Sequence, residues 1–296
     1  MIEVVKLNKS FGKHHVLKDI SFKVSKGEIV GFIGPNGSGK STTMKCLVNL
    51  IFPDIGKITI DEYDLLNKRK EALSLVNALI EAPGLYPNLT GLDNLKLFGE
   101  LKKVKKERIE QVMEIIQLDK EIYKKVREYS MGMKQRLALG IILLSKPKYL
   151  ILDEPFNGLD PQGVFDLRKV LLSLAEAGHG LMVSSHQLLE LEKITTRNIF
   201  IKSGEIVHRE ALSNSSSLIY KILFEDGILP SENFIKELIE NDYILKYELE
   251  DHLHLFHIPV DKNISDLLKK LLDNHLNVKL LMPIDDIESL YQSIYS

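Results

Sequence analysis

Alternating apolar and polar positions over residues 3–7 and 16–24 predict two half-buried strands, and Ser25-Lys26-Gly27 supplies the turn that leads out of the second. The next run, Ile29-Val30-Gly31-Phe32-Ile33, reads as a buried strand, and Thr42 to Leu50 then reads as a helix. From Leu65 to Glu128 the pattern turns helical and strongly charged. It breaks at Ala82-Pro83-Gly84-Leu85-Tyr86-Pro87-Asn88, where two prolines and a glycine require an irregular loop. Tyr149-Leu150-Ile151-Leu152 is again wholly apolar and ends in Asp153-Glu154-Pro155, the form of a buried parallel strand with acids at its carboxyl end. Asp160-Pro161 is an N-cap and first-turn pair that opens a helix to about Ala177, with Val164, Leu167, Leu171 and Leu174 on one face. Leu181 to Ser185 predicts the next strand, with His186 just past its end, and Ile199 to Val207 a hairpin turning at Ser203-Gly204.

Beyond the polar stretch Ser213-Asn214-Ser215-Ser216-Ser217 the reading is strand (219–225), helix (231–240), strands (243–249 and 252–258), helix (264–274), strand (278–282) and a last helix (285–294). That order suggests a small ferredoxin-like domain.

Composition narrows the class. A chain of 296 residues suits one large and one small domain, and a hydrophobic fraction of 44% is ample for their cores. The formal net charge of −2 lacks the basic excess of a phosphate-tracking protein, so no nucleic-acid partner is expected. Five basic residues from Lys102 to Arg108 read as a solvated helix face. The single cysteine, Cys46, excludes an internal disulfide and suits a reducing compartment. Met1-Ile2-Glu3-Val4-Val5 enters a strand pattern at once, unlike a signal peptide. The longest apolar segment, Leu137 to Leu144, falls short of the ~20 residues of a membrane span, so a soluble chain is expected.

Candidate chemistry begins between the strand at 29–33 and the helix after it. Gly34-Pro35-Asn36-Gly37-Ser38-Gly39-Lys40-Ser41-Thr42 fits G-x-x-x-x-G-K-[ST] in the strand, loop and helix setting that motif needs. Its glycines let the backbone curl until N–H groups point inward at a helix N-terminus, a nest for β- and γ-phosphates. Lys40 adds a point charge, and Ser41 can place its hydroxyl on Mg²⁺. The alternative, a chance glycine-rich turn, leaves the correctly placed strand and helix unexplained. Asp153 is positioned to hold Mg²⁺ through its water shell, and Glu154 to orient and deprotonate an attacking water; otherwise the two acids only cap a strand. Phe11, in Lys9-Ser10-Phe11-Gly12, can stack on a purine or cap a core edge, and position alone leaves both open. His252, His254 and His257 have no neighbouring cysteine, and 252 and 254 share one strand face, so a metal site is not expected there.

Taken in order, these features resemble the nucleotide-binding subunit of an ATP-binding cassette (ABC) transporter over residues 1 to about 210. Ser130-Met131-Gly132-Met133-Lys134-Gln135-Arg136 is similar to the family signature usually written L-S-G-G-Q, with Tyr129, Met131 and Met133 in place of its leucine, first glycine and glutamine. Gly158-Leu159-Asp160 resembles the D-loop, His186 the switch histidine and Phe11 the adenine-stacking aromatic. Ser130 stands where an N-cap belongs, so its hydroxyl, the Gly132 N–H and the positive end of a helix to about Leu144 make an anion site. The resemblance assigns that site to the γ-phosphate of a second copy's ATP. Glu81 replaces the family's glutamine, whose side chain reaches Mg²⁺ and the attacking water; a carboxylate keeps the oxygens, loses the donor and adds charge. The stretch from Ile80 to Thr90, the signature, and Ile287-Glu288-Ser289-Leu290-Tyr291 are similar to the subgroup linked to bacitracin and lantibiotic resistance or immunity.

The resemblance implies an α/β P-loop NTPase cassette at residues 1–211, a mixed β core with a helical insertion at about 65–145, then a linker at 212–217 and an α+β accessory domain at 218–296. ATP and Mg²⁺ are the implied ligands. The implied partners are a second copy, closing head to tail over two ATPs, and a separate integral membrane permease at the cytoplasmic face of the membrane. ATP hydrolysis would then drive export of, or resistance to, a peptide antibiotic. A soluble ABC ATPase acting on ribosomes or DNA is the competing expectation, weakened by the single phosphate loop and the lack of a long heptad run. A GTPase or small-molecule kinase would need an Asn-Lys-x-Asp motif the chain lacks, and would leave the signature unexplained.

Overall fold

The computed structural model describes residues 1–80, 84–207, 217–225, 229–250, 253–259, 262–283, 291 and 294–295. The chain divides into two compact units, Met1–Val207 and His208–Ser296. In the first, β1 (Ile2–Phe11) and β2 (His14–Val24) form an antiparallel hairpin, and β4 (Ile55–Ile60) and β5 (Tyr63–Asp64) extend it into a sheet of order β2-β1-β4-β5. The second sheet contains β3 (Ile29–Ile33), β6 (Val76–Leu79), β7 (Tyr149–Leu152), β8 (Gly180–Ser184), β9 (Arg197–Lys202) and β10 (Glu205–Val207). Their order is β10-β9-β3-β8-β7-β6, and β9, β3, β8, β7 and β6 run parallel. β3, β7 and β8 are buried at every position, which is the physical reason β3 and β7 read as unbroken apolar runs and β8 is apolar up to Ser184. β10 returns antiparallel through Ser203-Gly204, where φ of 51° and 85° suits a two-residue hairpin turn.

Helix α1 (Lys40–Leu47) sends Met44, Cys46 and Leu47 into a core shared by both sheets, among Leu7, Ile20 and Phe22 of the first and Val30, Phe32 and Ile151 of the second. Burial of each large side chain contributes about 1.5–3 kcal/mol, so the loop before α1 is anchored at both ends by packed residues. Helices α2 (Arg69–Ser74), α3 (Gly91–Leu101), α4 (Lys106–Ile116) and α5 (Met131–Leu143) lie between β5 and β7 in the chain, and α6 (Pro161–Glu176) and α7 (Leu188–Glu192) flank β8.

Several elements depart from the sequence expectations: β4 and β5 fall where none was expected, and β6 and α1 differ from what was read. Residues 76–79, inside the stretch read as helical, form β6 and pair with β7 from Val76 opposite Tyr149 to Leu79 opposite Leu152. Four residues are too few to show a period of two, and Asn77 masks the strand further: its amide donates to Ile142 O at 2.6 Å and Ser145 Oγ at 2.7 Å. The helix after the phosphate loop runs over Lys40–Leu47 instead of 42–50, and the chain leaves it through Asn49 at a left-handed φ of 57°.

In the second unit β11 (Ser217–Phe224), α8 (Glu232–Glu240), β12 (Lys246–Glu250), β13 (Leu253–Pro259), α9 (Ile264–Asp273) and β14 (Val278–Pro283) follow in sequence. The sheet order is β12-β13-β11-β14, with antiparallel pairing throughout, the arrangement of a ferredoxin-like sheet. Ser231 and Asn263 cap the two helices, whose apolar faces (Phe234, Leu238, Leu267, Leu271) pack with Ile222 and Phe256. The expected linker and final helix fall largely outside the described residues. His254 is buried and paired with the Tyr247 hydroxyl at 2.7 Å, while His257 pairs with Glu248 at 3.1 Å; His252 lies outside the described residues. Among the described residues no three His, Cys, Asp or Glu side chains converge on a metal position.

Burial pushes the Cys46 thiol up to about 11, with Asp54 acting in the same direction against Lys9. At pH 8 on the order of one such thiol in a thousand is ionised. A disulfide reagent should therefore leave the folded chain untouched and react fully with its one cysteine in urea. Rapid stoichiometric labelling of the folded chain would contradict this packing.

Candidate functional site

The parallel register sets the carboxyl ends of β3, β8 and β7 side by side, with Gly31 opposite Val183 and Leu152 opposite Val183 on the other flank. Each end gives way to polar residues: the phosphate loop after β3, Ser185-His186 after β8 and Asp153-Glu154 after β7. A cavity of about 380 Å³ opens there. Asn36, Gly37, Gly39, Lys40, Ser41 and Thr42 line it from the loop, Asp153 and Glu154 from the end of β7. Phe11, His14 and Val16 line it from the β1–β2 hairpin.

The loop's curvature depends on its glycines. Gly37 and Gly39 have φ of 80° and 110°, and a side chain at Gly34 would stand 2.4 Å from Ile201 O on β9. Ser38 N donates to Pro35 O at 3.2 Å, closing the turn inside the loop. Lys40 is 7% exposed, and its ammonium donates to Gly34 O at 2.6 Å and Pro35 O at 3.1 Å. Burial lowers its pKa, and the charges of Glu154 and Asp153 oppose that shift, so the cation is held facing two carboxylates.

Asp153 joins the strands. Its Oδ2 accepts from Ser41 Oγ at 2.8 Å and its Oδ1 from Ser184 Oγ at 2.5 Å. Glu154 adopts a left-handed φ of 50°, uncommon for a residue with a side chain, and its N–H donates to Ser184 Oγ at 2.9 Å. The Glu154 carboxylate accepts from His186 N at 3.1 Å and lies 2.8 Å from His186 Nδ1. Two hard oxygens, Ser41 Oγ and Asp153 Oδ2, thus meet beside a buried cation and a phosphate-sized nest. That donor set suits a small divalent cation completed by water and phosphate oxygens, in place of an all-protein cage. Glu154 and His186 are in contact beside them, where a water can be activated.

Phe11 is half-exposed in the cavity lining, open to stack on a ring. Ser130, Gly132 and Asp160 are not brought into this lining. They gather elsewhere in the same unit. Ser130 Oγ accepts from Met133 N at 3.3 Å, and Asp160 Oδ1 accepts from Gly163 N at 3.1 Å. A side chain at Gly132 would stand 3.2 Å from Gly163 Cα, so the N-termini of α5 and α6 abut. Tyr129, the departure from the signature's leucine, is buried and donates its hydroxyl to Glu121 O at 2.8 Å. Glu81 lies outside the described residues, two positions after the end of β6.

Sequence reasoning passed over three residues of this site. His14 and Val16 were reachable from the hairpin, since His14 pairs directly with Phe11 across the turn. Ser184 was reachable from the Ser-Ser-His run at the end of an apolar strand.

Comparison with known proteins agrees with this geometry. The ABC transporter family model matches residues 17–157. The chain is 37% identical over 285 residues to the uncharacterized ABC transporter ATP-binding protein YdbJ of Bacillus subtilis, covering 96% of this chain and 91% of the relative. It is 37% identical to the lantibiotic transport ATP-binding protein SrtF of Streptococcus pyogenes, covering 77% of this chain and 98% of that one. To the bacitracin transport ATP-binding protein BcrA of Enterococcus faecalis it is 38% identical, covering 72% and 70%. Among solved structures, an ATP-binding subunit of an ABC transporter aligns with a TM-score of 0.63 at 30% identity, covering 70% of this chain and 88% of that one. A dimeric bacterial ABC transporter cassette aligns with a TM-score of 0.62 at 25% identity, covering 70% and 97%. No helix among the described residues is long and apolar enough to cross a membrane. The chain belongs to the ABC transporter ATP-binding family: it is the ATP-binding, ATP-hydrolysing subunit of such a transporter.

Proposed function

We propose that residues 1–211 form a nucleotide-binding domain that powers a separate integral membrane permease from the cytoplasmic face, joined through 212–217 to an accessory domain at 218–296. The observation that carries this reading is the 2.8 Å contact of Ser41 Oγ with Asp153 Oδ2 at the mouth of the phosphate loop, beside the Glu154–His186 pair.

In this reading Gly34 to Thr42 surround the triphosphate with backbone N–H groups, Lys40 pairs with its outer phosphates, and Phe11 stacks on the adenine. Ser41, Asp153 and Glu81 are the residues that would hold Mg²⁺, which when bound would offset the negative charge of the phosphates. Glu154 orients a water and takes its proton as the water oxygen bonds to the γ-phosphorus. The bond from that phosphorus to the ADP oxygen breaks, with its electron pair leaving on ADP. His186 holds the Glu154 carboxylate in place and reaches toward the transferred phosphoryl group. Ser130 and Gly132, remote from their own cavity, serve the γ-phosphate held by a second copy, with Asp160 beside them at the contact between copies. The similarity to a dimeric cassette supports that pairing.

Similarity to proteins named for lantibiotic and bacitracin transport supports a peptide antibiotic as the substrate handled by the permease. A ribosome- or DNA-directed role finds no support in a net charge of −2.

Glu154→Gln should retain ATP binding and lower turnover by ~10²–10⁴-fold, the usual worth of a general base, in a steady-state phosphate-release assay. Near-normal hydrolysis would remove Glu154 from that role. Glu81→Gln should stay active, because both side chains offer an oxygen to the cation; complete loss of ATPase activity would show that the negative charge itself is needed.

A further inference from the structure

Ser184 is the last residue of β8, fully buried, one position past the rung where Leu152 of β7 faces Val183. The β7–β8 ladder stops there, while Ser184 still pairs with Phe32 of β3, and its hydroxyl lies against Asp153. The direction of their hydrogen bonds follows from valence alone. The Glu154 backbone N–H can only donate, so at 2.9 Å the Ser184 oxygen accepts from it, and the hydroxyl's single proton is left for Asp153 Oδ1 at 2.5 Å. Asp153 cannot rotate without breaking a contact at one oxygen or the other, because Ser41 holds Oδ2. Glu154 is fixed at its backbone in a conformation that costs energy for any residue with a Cβ. One buried hydroxyl therefore secures the carboxylate on the cation side and the turn that presents the carboxylate on the water side.

We infer that Ser184 is a positioning residue for ATP hydrolysis, aiming Asp153 at Ser41 and locking the Glu154 turn so that the two acids act as one rigid unit. The inference rests on the roles proposed for Asp153 and Glu154. A serine that only satisfied buried polar atoms would alter fold stability and leave cation affinity per folded site unchanged.

The test uses the full chain with ATP and Mn²⁺ as the probe cation, read by electron paramagnetic resonance, alongside turnover per ATP-binding site. Partners that orient a metal ligand typically contribute 10–100-fold, so Ser184→Ala should weaken Mn²⁺ binding by about tenfold or more and cut turnover per site comparably. ATP binding in EDTA should stay within about twofold of the unmodified chain, since the phosphate loop is untouched. Ser184→Thr keeps the hydroxyl and should recover Mn²⁺ binding to within about threefold. Unchanged Mn²⁺ affinity and turnover in Ser184→Ala would overturn the inference, as would a folded Ser184→Thr chain that behaves like the alanine variant. If the added methyl of threonine unfolds the strand, Mn²⁺ affinity in Ser184→Ala decides alone. Asp153→Asn separates the two layers: if it leaves Mn²⁺ affinity unchanged, the underlying assignment of Asp153 fails, whereas weakening by Asp153→Asn but not by Ser184→Ala removes only Ser184.

Discussion

Both oxygens of Asp153 are held by hydroxyls from other segments, Ser41 at the start of α1 and Ser184 at the end of β8. Those contacts exist only while β3, β8 and β7 keep their parallel register, since a slip of one residue would send the side chains of a strand to the opposite face. The register is itself set by burial: Val30, Ile151 and Met182 sit in one core with the apolar face of α1. Hydrophobic packing several residues away thus determines the spacing of the oxygens at the sheet's edge.

The same packing creates an electrostatic problem and confines its solution. Lys40 is buried enough for its charged form to be disfavoured, and a buried cation is tolerated only with anions or fixed dipoles facing it. Asp153 and Glu154 provide the anions, while carbonyls of Gly34 and Pro35 receive the ammonium protons. The positive end of α1 adds to Lys40, so the loop favours a ligand of several negative charges over a neutral one. The Ser130 cluster offers a second positive helix end at a distance from the cavity, with Asp160 beside it already accepting from Gly163 N.

Much of this was legible because buried parallel strands and phosphate loops leave strong local marks. Ile29 to Ile33 and Tyr149 to Leu152 could be read as strands because both of their faces are covered, and Lys40, Ser41, Asp153 and Glu154 followed from their ends. Asp160 and Ser130 were readable as caps because their oxygens answer the first free N–H groups of α6 and α5. What escaped was tertiary in origin. β6 is defined by its neighbour β7 more than by its own four residues, and Asn77 is satisfied by the end of α5, which no local pattern reveals. Ser184 looks like any strand-end serine until β7 is set beside β8, and His14 acquires its place from a cross-strand pairing with Phe11.

In the proposed function the cavity at Lys40 and the cluster at Ser130 are two halves of one site that a single copy cannot complete. Sedimentation velocity of the Glu154→Gln chain, with ATP and then with ADP, tests that most directly. The expected result is a dimer with ATP, a monomer with ADP, and loss of the ATP-dependent dimer in Ser130→Arg. A chain that stays monomeric with bound ATP at high concentration, alone and together with its permease, would contradict it.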